Sequence, residues 1–65
     1  MKIILNGKEK KLTVTNLGEI LTNLKYNPEN VIVSVNGELV EKEIYSITSL
    51  SEGDIVDVFS FVGGG

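Results

Sequence analysis

The residues of this 65-residue chain with the clearest chemistry are its last ones, Val62-Gly63-Gly64-Gly65. A glycine run has no core to fill and no hairpin to turn. With no Cβ, a Gly-Gly terminus can be threaded through a narrow enzyme channel whose walls would stop any larger residue. At the end of such a channel the carboxylate of Gly65 can be activated. The alternative use of such a run is as a frayed end or linker.

No other residues supply chemistry of this kind. The chain has no Cys and no His, and no carboxylates at calcium-loop spacing. A catalytic role for the chain itself is therefore not expected, nor is a bound metal or cofactor. The net charge of −3 argues against a nucleic-acid partner. Lys8, Lys10 and Lys11 form one local basic patch, read as a solvated hairpin rim. The apolar run after Lys2 is too short for a signal core, and Val31 to Val35 is a strand length rather than a membrane span. With no disulfide to form, the chain suits a reducing compartment, so a cytoplasmic location is expected.

A chain this short makes one domain, expected over residues 1–62, with 63–65 as a flexible glycine tail. Its 42% hydrophobic content, mostly Val, Ile and Leu, must hold the fold by packing alone. Met1 to Leu5 reads as a strand that meets Asn6-Gly7, a strong hairpin signal. With the loop drawn out through Lys8-Glu9, the return strand is Lys10 to Val14. Asn16 caps a helix, with Glu19 at capping-box spacing. Leu17, Ile20, Leu21 and Leu24 then make one apolar stripe. Gly18 in the first turn points to close packing there.

Pro28 ends the helix, and Asn27 to Asn30 reads as a loop. Val31 to Val35 is a strand that turns at a second Asn-Gly, Asn36-Gly37, into Glu38-Leu39-Val40. A less regular stretch follows, with Ile44, Tyr45, Ile47 and Leu50 as expected anchors. Ser51 to Asp54 is a turn, and Ile55 to Val62 is the last strand. Two hairpins, one helix between them and a closing strand predict an α+β fold, a mixed sheet of four to five strands packed on one helix.

Alternation sorts the sheet into faces. Met1, Ile3, Leu5, Val31, Val33, Val35, Val56 and Val58 should point at the helix. Lys2, Ile4, Ile32, Ser34, Asp57, Phe59 and Phe61 fall on the other face. A sheet with a single helical layer leaves that face wet, so Ile4, Ile32, Phe59 and Phe61 are expected to form an exposed apolar patch that binds partners.

This order of elements resembles the ubiquitin-like β-grasp proteins, and most closely the ThiS family of sulfur carriers in thiamine biosynthesis. The resemblance spans the whole chain. It rests on Ile3-Ile4-Leu5-Asn6-Gly7, the Leu17, Ile20, Leu21 and Leu24 helix, and the hairpin Val33 to Val40. Glu52-Gly53-Asp54 before the last strand and the ending Phe61-Val62-Gly63-Gly64-Gly65 complete it.

The resemblance implies a reaction carried on Gly65. An adenylating, ubiquitin-activating-like enzyme uses ATP to convert the terminal carboxylate to an acyl-adenylate. Sulfur from a donor such as a cysteine desulfurase then displaces AMP to give a thiocarboxylate, which a thiazole synthase consumes. Gly63 and Gly64 thread the partner's channel. The family's minimal motif has two glycines and this chain has three; with a Met start and no tag sequence, Gly65 rather than Gly64 is taken as the native end. Glu38, Glu41, Glu43, Glu52 and Asp54 serve solubility, or steer encounter with a basic partner.

Three other readings share these features. A molybdopterin-synthase small subunit has the same fold, tail and thiocarboxylate chemistry. A ubiquitin-like modifier would join Gly65 to a lysine. A β-grasp binding module would not need the tail.

Overall fold

The structure is a computed structural model that describes residues 1–61. Its five strands are β1 (Lys2–Leu5), β2 (Lys8–Lys11), β3 (Val31–Val35), β4 (Glu38–Val40) and β5 (Ile55–Ser60). They form one sheet in the order β2-β1-β5-β3-β4. β5 runs parallel to β1 and antiparallel to β3, so the last strand in sequence is the middle of the sheet. The helix α1 (Leu17–Asn23) packs on one face. This is the mixed α+β architecture expected from the order of turns and periodicities.

Both Asn-Gly pairs make two-residue hairpin turns. Asn6 and Gly7 have φ of 49° and 85°, and Asn36 and Gly37 have 52° and 87°. Positive φ at both central positions matches the twist of the flanking strands, which is why Asn-Gly is favoured. The tight first turn corrects the expected return strand. Leu5 pairs directly with Lys8, so β2 is Lys8–Lys11 rather than Lys10 to Val14. A longer loop would have left Lys8 and Glu9 unpaired, whereas the two-residue turn lets pairing start at once. Leu12 and Val14 follow the strand and pack against the core from outside it.

The core is Ile3, Leu17, Ile20, Leu21, Val31, Val33, Tyr45, Leu50, Val56 and Val58, all buried. Met1, Leu5, Leu24 and Val35 pack partly buried around it, so the helix-facing list holds. Burying such a side chain fully is worth roughly 1.5–3 kcal/mol, and the fold rests on about ten of them.

Asn16 caps α1 by accepting from the Glu19 N–H at 3.0 Å, and its Nδ2 donates to the Ser46 carbonyl at 2.6 Å. The same side chain thus starts the helix and ties it to the stretch that follows β4. A Cβ at Gly18 would stand 3.3 Å from the Ser46 Cα and 3.1 Å from the Asn16 Oδ1, which explains a glycine in the first turn. At the other end the Tyr26 N–H bonds to the Leu21 carbonyl and the Lys25 N–H to that of Thr22. That pair of bonds is a Schellman closure, with Lys25 at φ 70° in the position glycine usually takes.

The loop over Asn27 to Asn30 is a short 3-10 helix, Pro28–Asn30, capped by Asn27. The irregular stretch is a second one, Lys42–Ile47. Of its expected anchors, Tyr45 and Leu50 are buried, but Ile44 and Ile47 are exposed, Ile47 at 77%. The 3-10 period of three explains the correction: Ile44 and Ile47 stack on one ridge, and Tyr45 alone turns inward.

Candidate functional site

The sheet face away from α1 carries the residues expected to bind partners, and the strand register decides which of them meet. Ile32 on β3 is directly opposite Phe59 on β5. Phe61 continues past the end of β5, its N–H bonded to the Asn30 carbonyl at 3.0 Å, which keeps it on the parity of Phe59. Ile32, Phe59 and Phe61 are exposed, at 46%, 60% and 50%.

Leu39 belongs with them. It pairs with Ser34 across β3–β4 and is 73% exposed. Ile32, Leu39 and Phe61 line one shallow depression of about 400 Å³ together with Val31, Val40, Tyr45, Glu29, Glu41 and Lys42. The sequence held the signal for Leu39. Counting back from a two-residue turn at Asn36-Gly37 puts Leu39 opposite Ser34 and so on the outer face.

Ile4 is separate. It is half-buried and pairs with Ile55 across the parallel β1–β5 ladder. Ile55 lies four positions before Phe59, about 13 Å along the strand, and the Asp57–Ser34 pair crosses the interval. The single patch expected from alternation is therefore two clusters. Ile32, Phe59 and Phe61 adjoin the C-terminal end of β5, with Leu39 on β4 joining them across the depression beside Ile32, and Ile4 and Ile55 sit at its beginning. Ile55 was also absent from the expected set, although its parity with Phe59 marks it.

The charges near the first cluster are mostly acidic. Lys42 Nζ donates to Glu29 Oε1 at 2.9 Å, and that bond raises the ammonium above the usual lysine range. Glu38, Glu41 and Glu43 are exposed. Glu52 and Asp54, grouped with them on sequence, are used in structure instead. Glu52 accepts from the Lys2 N–H at 2.9 Å, and Asp54 accepts from the Ser51 N–H at 2.8 Å and from Asn36 Nδ2 at 3.0 Å. Beneath the cluster the Tyr45 hydroxyl donates to the Val31 carbonyl at 3.3 Å, and burial pushes its phenol up.

Among the described residues no group of three His, Cys, Asp or Glu could hold a metal ion. No helix among them is long and apolar enough to cross a membrane. Val62, the threading residues Gly63 and Gly64, the attachment residue Gly65, and with them the boundary between domain and tail, lie outside the described residues.

This geometry has close relatives. The chain is 38% identical over 64 residues to the sulfur carrier protein ThiS of Bacillus subtilis, covering 94% of this chain and 96% of that protein. It is 32% identical over 66 residues to a thiazole synthase of Paramagnetospirillum magneticum, covering all of this chain but 20% of that protein. The chain thus spans about a fifth of the length of the thiazole synthases it matches. The crystal structure of the thiamine biosynthesis protein ThiS from Geobacter metallireducens superposes with a TM-score of 0.83 at 36% identity, each chain fully covered. The sequence model of the ThiS family matches residues 3–65. With a family match that runs through the glycine tail and a mixed sheet closed by a parallel β1–β5 pair on one helix, the chain belongs to the ThiS family and has its ubiquitin-like fold.

Proposed function

We propose that this chain is a sulfur carrier for formation of the thiamine thiazole, a protein cosubstrate rather than an enzyme, working in the cytoplasm. The observation that carries this is a pair of matches, one along 94% of the chain to a sulfur carrier and one along all of it to a segment of a thiazole synthase. A polypeptide that joins such a segment to a thiazole synthase favours the latter as the partner that takes the sulfur.

In this reading the Gly65 carboxylate attacks the α-phosphate of ATP on an adenylating enzyme. Pyrophosphate leaves and an acyl-adenylate forms. Persulfide sulfur from a donor such as a cysteine desulfurase then displaces AMP to give an acyl persulfide, and a thiol reductant cleaves its S–S bond to leave a terminal thiocarboxylate. All nucleotide binding belongs to the partner. The chain contributes an end that can be threaded, Gly63 and Gly64, and a body that docks.

Reach limits where that body can dock. The residues after Phe61 extend at most about 14 Å, so the partner's reacting centre must lie within that distance of Phe61. A docking surface at the C-terminal end of β5 meets this limit; Ile32, Phe59 and Phe61 are exposed apolar residues there, and Leu39 extends the surface across the neighbouring depression. The Ile4–Ile55 cluster lies at the opposite end of the strand and has a lesser claim.

The test is to co-express the chain with its candidate activating enzyme and a sulfur source, alkylate with a thiol reagent, and locate the adduct by fragment masses. With no cysteine in the chain, an adduct on Gly65 is the expected result. Conjugates to lysine in its place would assign the chain as a modifier. A thiocarboxylate that serves molybdopterin synthesis and not thiazole synthesis would overturn the acceptor.

A further inference from the structure

Each hairpin turn holds an Asn-Gly peptide bond, and such a bond carries a reaction of its own. The glycine nitrogen attacks the asparagine side-chain carbonyl, the carbon–Nδ2 bond breaks, and ammonia leaves with the glycine amide proton. The succinimide so formed is opened by water at either carbonyl, giving aspartate or isoaspartate, and nothing is oxidised or reduced. Glycine is the most permissive neighbour because it places no side chain in the path of the attacking nitrogen.

The two asparagines are held in different ways. Asn6 is held through its oxygen, which accepts from the Val58 N–H at 2.8 Å. Asn36 is held at both ends of its amide. Its Oδ1 accepts from the Ile55 N–H at 2.9 Å, and its Nδ2 donates to Asp54 Oδ1 at 3.0 Å. Asp54 in turn closes the turn before β5 by accepting from the Ser51 N–H at 2.8 Å. A carboxylate in place of Asn6 keeps the acceptor. A carboxylate in place of Asn36 has no N–H to give and brings a second negative charge onto Asp54.

We propose that Asn36-Gly37 is a self-modification site, at which deamidation to aspartate breaks the bond to Asp54 and weakens the hold of the β3–β4 turn on the start of β5, while the aspartate product at Asn6 is tolerated. Water is the only co-reactant. β4 is three residues at the edge of the sheet, so local opening there exposes the turn without unfolding the chain. This inference concerns the fold and stands apart from the sulfur-carrier reading.

Two measurements test it on the full chain. First, the protein is aged in mildly alkaline buffer and in urea, and deamidation at residues 6 and 36 is followed by peptide mass spectrometry. Both sites should react in urea and be slowed in buffer by about tenfold or more, since the held side chains must be freed first. Equal rates in the two solvents would overturn the inference. Second, Asn36→Asp should raise the unfolding equilibrium constant about five- to tenfold, and Asn6→Asp less than about twofold. Adding Asp54→Asn to Asn36→Asp should restore most of the loss, because the donor and the charge have then exchanged places. Equal losses at the two positions, or no restoration in the double variant, would overturn it.

Discussion

The side-chain oxygen of Asn6 accepts a hydrogen bond from the backbone N–H of Val58 at 2.8 Å, joining residues 52 apart in sequence. β1 pairs with β5 only at Ile4–Ile55 and Leu5–Val56 before the chain turns away at Asn6. The Asn6 backbone N–H still reaches the Val56 carbonyl at 2.9 Å, and its side chain supplies the next acceptor. One residue thus sets the hairpin turn and lengthens the parallel ladder. Asn36 repeats the device on the other side of β5, with its N–H on the Ile55 carbonyl and its Oδ1 on the Ile55 N–H.

Separating those two roles is a matter of substitution. Asn6→Gly keeps the turn and removes the acceptor, and should cost about 1–2 kcal/mol by leaving the partly buried Val58 N–H unpaired. Asn6→Ala should cost roughly 1–2 kcal/mol more, because alanine resists positive φ. Urea titration gives the energies, and faster amide exchange at Val58 in both variants identifies the bond.

Lys25 closes the helix from a backbone conformation that favours glycine. Lys25→Gly should therefore stabilise the chain by about 0.5–1 kcal/mol. In a domain of this size that is a rise in Tm of about 2–8 °C. A fall in Tm would show that the lysine stem makes contacts worth more than the backbone relief.

Tyr45 links stability to alkaline pH. Its phenol is pushed up on folding, so between its unfolded value, about 10, and its folded value the native state holds a proton that the unfolded state has lost. The stabilisation is complete below about pH 10 and disappears as pH rises through the folded value. Tyr45→Phe should cost about 1 kcal/mol at neutral pH through loss of the bond to Val31, and that cost should shrink above about pH 10. Lys42 adds a slope of the same sign, and the variant retains its larger part, which comes from Glu29.

The proposed docking surface is tested by charge. Phe59 is 60% exposed on the outer face, so Phe59→Lys should leave the Tm within a few degrees while weakening binding to the activating enzyme tenfold or more, about 1.4 kcal/mol or above. Ile55→Lys, at the other cluster, should change binding little. Equal losses from both would mean that the partner covers the whole face.

A bulky residue at Gly64 should abolish activation without changing stability. The expected measurement is normal unfolding with no adenylate or thiocarboxylate formed by Gly64→Leu. Activation at the normal rate would remove the threading argument.

Much of this was legible in the residues. Asn6-Gly7 and Asn36-Gly37 marked both turns, although only the second hairpin was read in its observed register; the Leu17, Ile20, Leu21 and Leu24 spacing marked the helix, and alternation assigned the inward faces of β1, β3 and β5. These are local signals, each set by a few neighbouring side chains and their backbone preferences.

Tertiary structure decided what depends on register between distant strands. Alternation gives the face a side chain points to but not its row on that face. Only the β1–β5 and β3–β5 registers reveal that Ile4 stands with Ile55, apart from Ile32 and Phe59. The outward ridge of Ile44 and Ile47 depended on a 3-10 turn shaped by Tyr45 entering the core. The Asn6 bond to Val58 depended on the last strand arriving beside the first. A chain this small closes its core through contacts of long sequence separation, and no local pattern records the partner such a contact will find.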